Sequence, residues 1–110
     1  MKDDYCAYIC QKYKFVGSES ETIGFIREHN LLPILLQAPE EIQRVFGDDI
    51  VLELDLHADP EEDYRELFIV IKTHCSPEEA MRLERKLFNE WFIDIMDKTN
   101  HKLNLIEEPL

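Results

Sequence analysis

Positive charge is scarce in this chain: twelve Lys and Arg stand against 24 Asp and Glu, for a formal net charge of -12. The acidic residues run through both halves instead of gathering in a tail, so the whole surface is expected to be negative. Such a field repels phosphate backbones and anionic lipid headgroups and attracts cationic proteins, peptides or metal ions, which argues against direct nucleic-acid binding and against a membrane surface. Long apolar runs are missing too. The longest, Leu67 to Ile71 and the Pro-interrupted Leu31 to Leu36, fall well short of the roughly 20 residues needed to span a bilayer. Cysteine is limited to Cys6, Cys10 and Cys75, an odd count, and the start MKDDYCAYIC has acidic residues where a secretory leader needs basic ones. The expectation is a cytoplasmic protein with reduced thiols. There is no nucleophile motif, phosphate loop, metal box or basic groove, and no internal repeat or flexible linker. Residues 1–110 are expected to form a single domain, long enough to bury roughly two-thirds of its unfolded surface without disulfide staples.

What is present is a clear pattern from Ile50 to Asp97. Alternating Ile50, Leu52, Leu54 and Leu56 are answered by Leu67, Ile69 and Ile71 across an acidic connection, the signature of a β-hairpin with one face to bury. One register aligns the whole apolar row, pairing Leu56 with Leu67, Leu54 with Ile69, Leu52 with Ile71 and Ile50 with Thr73. The opposite face then pairs Val51 with Lys72, Glu53 with Val70, Asp55 with Phe68 and His57 with Glu66, a mixed set expected to be at most half covered. Ser76, Pro77 and Glu79 form an S-x-x-E capping box with proline at the first helical position, and the helix they open is predicted to run to about Asp97. Ahead of the hairpin, Tyr5, Cys6, Ile9, Cys10 and Tyr13 recur at helical spacing. The run SESETIGFIREHN reads as a short capped helix ending near Asn30. A further helical stretch from Leu31 to Phe46 is predicted to break at Pro39 and to stop at Gly47. A third short strand, Lys102 to Ile106, is expected beside the hairpin, giving an α+β fold with a three-stranded sheet crossed by one helix.

On a helical wheel Ala80, Met81, Leu83, Leu87, Phe88, Trp91, Phe92, Ile95 and Met96 cover about 220° at about 100° per residue. One sheet face cannot cover so wide an arc. Either the N-terminal helices close over the remainder or a second subunit does, which makes a homodimer the alternative arrangement. Glu84 falls near the middle of this arc. A buried carboxylate needs a cation or hydrogen-bond donors or stays protonated, and such groups gather at functional sites. Glu84, with Trp91 on the same arc, is therefore the candidate for ligand binding, against the plainer alternative that Glu84 reaches water or an arginine between two packed flanks. Ile93 falls on the polar side.

The connection Asp59 to Glu66, DPEEDYRE, holds five carboxylates in eight residues. Asp59, Glu61, Glu62 and Asp63 are candidates for attracting a divalent cation or a cationic partner, although the run lacks the glycine and the spacing of a calcium loop. The plainer reading has Asp59 capping a turn begun by Pro60, with the other charges solvated. His57, His74 and Cys75 resemble metal ligands when merely counted, yet the hairpin separates the two histidines by roughly 20 Å or more at about 3.3 Å of rise per residue. Cys6 and Cys10 with His74 and Cys75 match no common zinc spacing.

The stop VFGDD, the turn DPEEDY, the strand LFIVIKT and the helix end FNEWFIDI together resemble small uncharacterised α+β proteins of bacteria and archaea, over roughly residues 40–97. The resemblance implies the fold and a prokaryotic source, and it brings no activity, cofactor or site residue. Charge and missing chemistry point instead to a non-enzymatic, acidic interaction or regulatory module, antitoxin-like in character, that binds a basic protein partner. The alternative is a small-ligand or metal-binding domain, or a minor enzyme, centred on Glu84 or on the acidic connection. No cofactor or metal is called for. Elemental analysis of the purified protein is accordingly expected to find no stoichiometric zinc, and chelators should leave its melting temperature unchanged; one zinc per chain would overturn the spacing argument.

Overall fold

In the computed structural model the described residues are 2–110, residues 2–6 as helical backbone alone. The chain runs α1 (Lys2–Lys12), β1 (Lys14–Val16), α2 (Glu19–Glu28), α3 (Leu32–Phe46), β2 (Val51–Asp59), β3 (Tyr64–Thr73), α4 (Pro77–Leu87), a π-helical turn (Phe88–Phe92), α5 (Ile93–Lys98) and β4 (Leu103–Pro109). The four strands lie in sequence order. The central β2–β3 pair is antiparallel, while β1 joins β2 and β4 joins β3 in parallel. The architecture is α+β with a mixed sheet: two strand–helix–strand crossovers joined back to back by the hairpin.

The hairpin has the register that the alternation predicts, with Leu52 opposite Ile71, Leu54 opposite Ile69 and Leu56 opposite Leu67. Only Ile50 falls outside the ladder. Phe15, Leu103 and Leu105 extend the same row outward, since they are paired with Leu54, Leu67 and Ile69. All the helices supply side chains to one core on this face, among them Ile9, Phe25, Leu35, Ile42, Leu87 and Phe92. The opposite face carries Lys14, Glu53, Asp55, Phe68, Val70 and Ile106 and contributes nothing to that core. The sheet is covered from one side, as an antiparallel centre with one polar face permits.

Local chemistry sets the helix ends. Ser18 Oγ accepts the Glu21 N–H at 3.2 Å, and Ser76 Oγ accepts the Glu79 N–H at 3.2 Å with Pro77 in the first turn. Each satisfies an otherwise orphan donor. Gly47 ends α3 at φ 87°, a left-handed conformation that costs glycine nothing. Asn30 and Asn100 do the same for α2 and α5 at φ 56° and 52°. The following N–H of Leu31 reaches back to the Ile26 carbonyl at 2.9 Å, and that of His101 to Met96 at 3.0 Å, the Schellman pattern.

Three features differ from the sequence expectation. A fourth strand, β1, lies beside β2; at three residues it is too short to show a period. It makes the sheet four-stranded, and the final strand runs on to Pro109 instead of ending at Ile106. Most notably, α3 passes through Pro39 without a break. Proline removes one N–H and so orphans the carbonyl four residues earlier, that of Leu35. The buried Tyr13 hydroxyl donates to that carbonyl at 2.7 Å. Burial, with Tyr8 adding, holds the Tyr13 hydroxyl far above its ordinary range, so it stays protonated and available as a donor.

The π-helical turn resolves the over-wide arc. Ile93 donates its N–H to Phe88, five residues back, which inserts one residue into the α-helical count. The buried residues run Ala80, Leu83, Leu87, Trp91, Phe92, Ile95 and Thr99. On a straight helix the four-residue steps from Leu87 through Trp91 and Ile95 to Thr99 would carry the stripe sideways by about 40° each. One inserted residue turns the later part back by about 100°, so α4 and α5 present one continuous stripe to the sheet. Arg44 of α3 clamps the turn from outside, at 2.7 Å from Glu90 and 2.9 Å from Glu41. Met81 stays on the surface at 62% exposure, so the arc drawn on a straight helix overstated what must be buried, while Ile93 is exposed, as its place on the polar side predicts.

Removing the Tyr13 hydroxyl should leave the Leu35 carbonyl buried without a donor. Tyr13→Phe is expected to cost about 1–3 kcal/mol, and less in a Pro39→Ala background, where the restored N–H takes over. Chemical denaturation of the two single variants and the double variant measures the coupling; simple additivity would reject the link between the residues.

Candidate functional site

The sequence marked Glu84, and the structure assigns it a partner that helix periodicity could not reveal. β4 is the last strand of the sheet. Leu67 donates its N–H to the Lys102 carbonyl and Leu110 donates to Thr73, both at 2.8 Å. In a parallel ladder this alternation turns the backbone groups of the even-numbered residues toward β3 and those of Leu103, Leu105, Glu107 and Pro109 outward. The outward N–H of Glu107 is taken by Glu84 Oε2 at 3.1 Å. Pro109 has no N–H to offer. The C-terminal half of this edge is therefore closed by a helix-borne carboxylate and a proline, two ordinary means of blunting an edge strand. The Glu107 side chain points to the buried Thr73, whose hydroxyl donates to it at 2.5 Å.

Glu84 stands on a groove of about 400 Å³ between α4, the π-helical turn and β4, with Leu87, Phe88, Phe92, Met96 and Leu105 among its walls and Arg85 and Asn104 as its other polar members. Burial is the main cause that raises the Glu84 carboxyl above the usual carboxylate range. The Glu107 N–H opposes the shift and the Glu107 carboxylate adds to it. Asn104 is itself hydrogen-bonded to Glu66.

Trp91 does not join Glu84 in this groove. It is 8% exposed and packed beside Phe92 at 5.7 Å between ring centres. Its indole N–H has no acceptor among the described residues. The acidic connection is shorter than the sequence suggested, because β2 continues to Asp59 and β3 begins at Tyr64. The turn itself is built as expected: Asp59 Oδ1 accepts the N–H groups of Glu61 and Glu62 at 3.1 and 3.4 Å. Glu61, Glu62 and Asp63 are exposed, Asp63 in the left-handed region at φ 52°. Tyr64 closes the base of the turn, donating to the His101 carbonyl at 3.0 Å, with Lys102 over its ring.

His57 and His74 occupy opposite ends of the hairpin, as the register requires. His57 Nε2 lies 3.0 Å from Asp55 and its ring packs on Phe68. Cys10 is exposed, with its sulfur 3.8 Å from Glu19, and Cys75 is half-buried; the proposed role of the Cys6 side chain lies outside the described residues. Among the described residues no cluster of three or more His, Cys, Asp or Glu side chains could hold a metal ion, and no helix is long and apolar enough to cross a membrane. Comparison with protein-family models, curated proteins and solved structures found no match in any of the three.

A carboxyl raised by folding supports the fold most below its unfolded value, and that contribution fades as pH rises through the folded one. Glu84→Gln keeps an oxygen for the Glu107 N–H and cannot ionise. It should therefore melt above the parent at about pH 7 and converge with it near about pH 3, below the ordinary glutamate range. Glu84→Ala should melt below the glutamine variant at both. Thermal denaturation across this range checks the sign; a glutamine variant less stable at neutral pH would reject it.

Proposed function

We propose that the protein is a non-enzymatic docking module, regulatory and antitoxin-like in character, that recognises a basic protein partner in the cytoplasm. The observation that carries this reading is where the charges are left uncompensated. The structure commits several of its few cations to its own surface: Arg44 to Glu41 and Glu90, Lys72 to Glu108, Arg65 to Glu28 and Arg82 to Glu79. At the hairpin tip Asp59, Glu61, Glu62 and Asp63 enter no ion pair among the described residues. Exposed and clustered at the end of the β2–β3 ladder, they add a concentrated lobe to the overall field of -12. Such a lobe steers a cationic surface during encounter and favours it over an anionic one. The odd cysteine count and the reduced thiols it implies support the cytoplasmic setting.

A pull-down from the native host, washed at low and at high salt beside a duplex-DNA binding assay, tests the reading. A basic protein should be retained at low salt and released as screening shortens the field, and DNA should not bind. Charge reversal at the tip, Glu61→Lys with Glu62→Lys, should slow association at low salt. Recovery of no basic protein, or tight DNA binding, would overturn the proposal.

A further inference from the structure

We propose that the groove beside Glu84 binds a free apolar α-amino acid of about the size of leucine or phenylalanine. Its ammonium is held by Glu84, its carboxylate by Arg85 and its side chain by the apolar walls. This inference goes beyond the preceding reading, since it gives a docking module a small effector, and it does not depend on the charge of any protein partner.

Glu84 fills only half of a ladder position. In a parallel sheet one residue of the next strand would accept the Glu107 N–H and also donate to the Leu105 carbonyl. Glu84 Oε2 does the first at 3.1 Å. For the second there is no neighbouring strand, because the sheet ends at β4, and among the described residues no side chain donates to that carbonyl. Glu84 Oε1 likewise has no donor among the described residues. An ammonium group answers both needs, since it carries several donors and no acceptor. The burial that raises the Glu84 carboxyl fits a carboxylate lacking a cation of its own.

The cationic side of the site is unused. Arg85 lines the groove and its guanidinium enters no ion pair or hydrogen bond among the described residues, whereas Arg44, Arg65, Lys72 and Arg82 each hold a carboxylate. The other charges nearby are already engaged: Lys102 lies over the Tyr64 ring, Glu66 is bonded to Asn104, Glu108 to Lys72, and Glu107 accepts from Thr73. Glu84 and Arg85 are therefore the pair that a ligand meets, and together they fit a zwitterion. A simple cation would face Arg85, and a simple anion would face Glu84 with Glu107 behind it. The helices run opposite to β4, because they connect the parallel strands β3 and β4, so Phe88, Phe92 and Met96 follow Glu84 along the groove toward the start of the strand. They and Leu105 give the ligand's side chain an apolar channel. At about 400 Å³ the groove falls within the range of small-molecule sites.

Isothermal titration of the full chain with L-phenylalanine, and with L-leucine beside it, tests the site. Binding is expected between about 0.01 and 1 mM, ordinary for ligands of so few atoms. Phenethylamine lacks the carboxylate and 3-phenylpropionate lacks the ammonium; each should bind at least about tenfold more weakly than L-phenylalanine. L-Serine, without an apolar side chain, should bind more weakly as well. Arg85→Gln should weaken L-phenylalanine to the level of phenethylamine. Glu84→Gln, which keeps an oxygen for the Glu107 N–H, should weaken it to the level of 3-phenylpropionate. Melting curves check that both variants fold; if either does not, the ligand series on the parent chain decides. No binding of L-phenylalanine or L-leucine at about 10 mM, equal binding of phenethylamine, 3-phenylpropionate or L-serine, or unchanged binding in either folded variant would overturn the site.

Discussion

The apolar row shared by β2 and β3 can be covered from one side only, and the rest of the molecule follows from that constraint. Leu52, Leu54, Leu67, Ile69 and Ile71 all point to the same face, and the neighbouring strands extend the row with Phe15 and Leu103. Two groups of helices must divide this face: the N-terminal helices on one part, α4 and α5 on the other. Each group contains one departure from regular helix geometry.

In the first group the departure is Pro39. A proline in the interior of a helix ordinarily costs about 3 kcal/mol or more, part of it in the orphaned carbonyl. The Tyr13 hydroxyl meets that carbonyl from the end of α1, so one hydrogen bond both tolerates the proline and ties α1 to α3. In the second group the departure is the π-helical turn. Without its inserted residue the part of the helix after the turn would be rotated by about 100° relative to α4. The ion pair from Arg44 to Glu90 links the two groups across the surface, with Glu41 on the same helix holding the guanidinium from the other side. These pairs raise the Arg44 guanidinium and lower the Glu90 carboxyl, with the bond between those two groups the leading cause in both cases. Being exposed, they add orientation more than stability.

The same economy explains the edge of the sheet. A mixed four-stranded sheet has two edges. β1 is short enough to offer little, while β4 is long and adjoins an apolar groove. Glu84 and Pro109 close the C-terminal half of β4, and at its start Leu103 is fully buried. The carboxylate that stood out on the apolar arc is thus committed to a backbone amide.

The sequence by itself determined the hairpin and its register, both serine caps, the Asp59 turn and the glycine stop of α3. Each of these rests on a period of two or on contacts within a few residues, which a linear reading can see. Trp91 was legible as apolar but not as buried away from Glu84, because the wheel assumed an unbroken helix. Only the tertiary structure decided the continuity of α3, the partner of Glu84 and the strand β1. Tyr13 meets Leu35 across 22 residues, and Glu84 meets Glu107 across 23. No local pattern encodes those meetings, since they exist only once the sheet has brought distant segments onto one face and fixed which backbone groups remain unpaired.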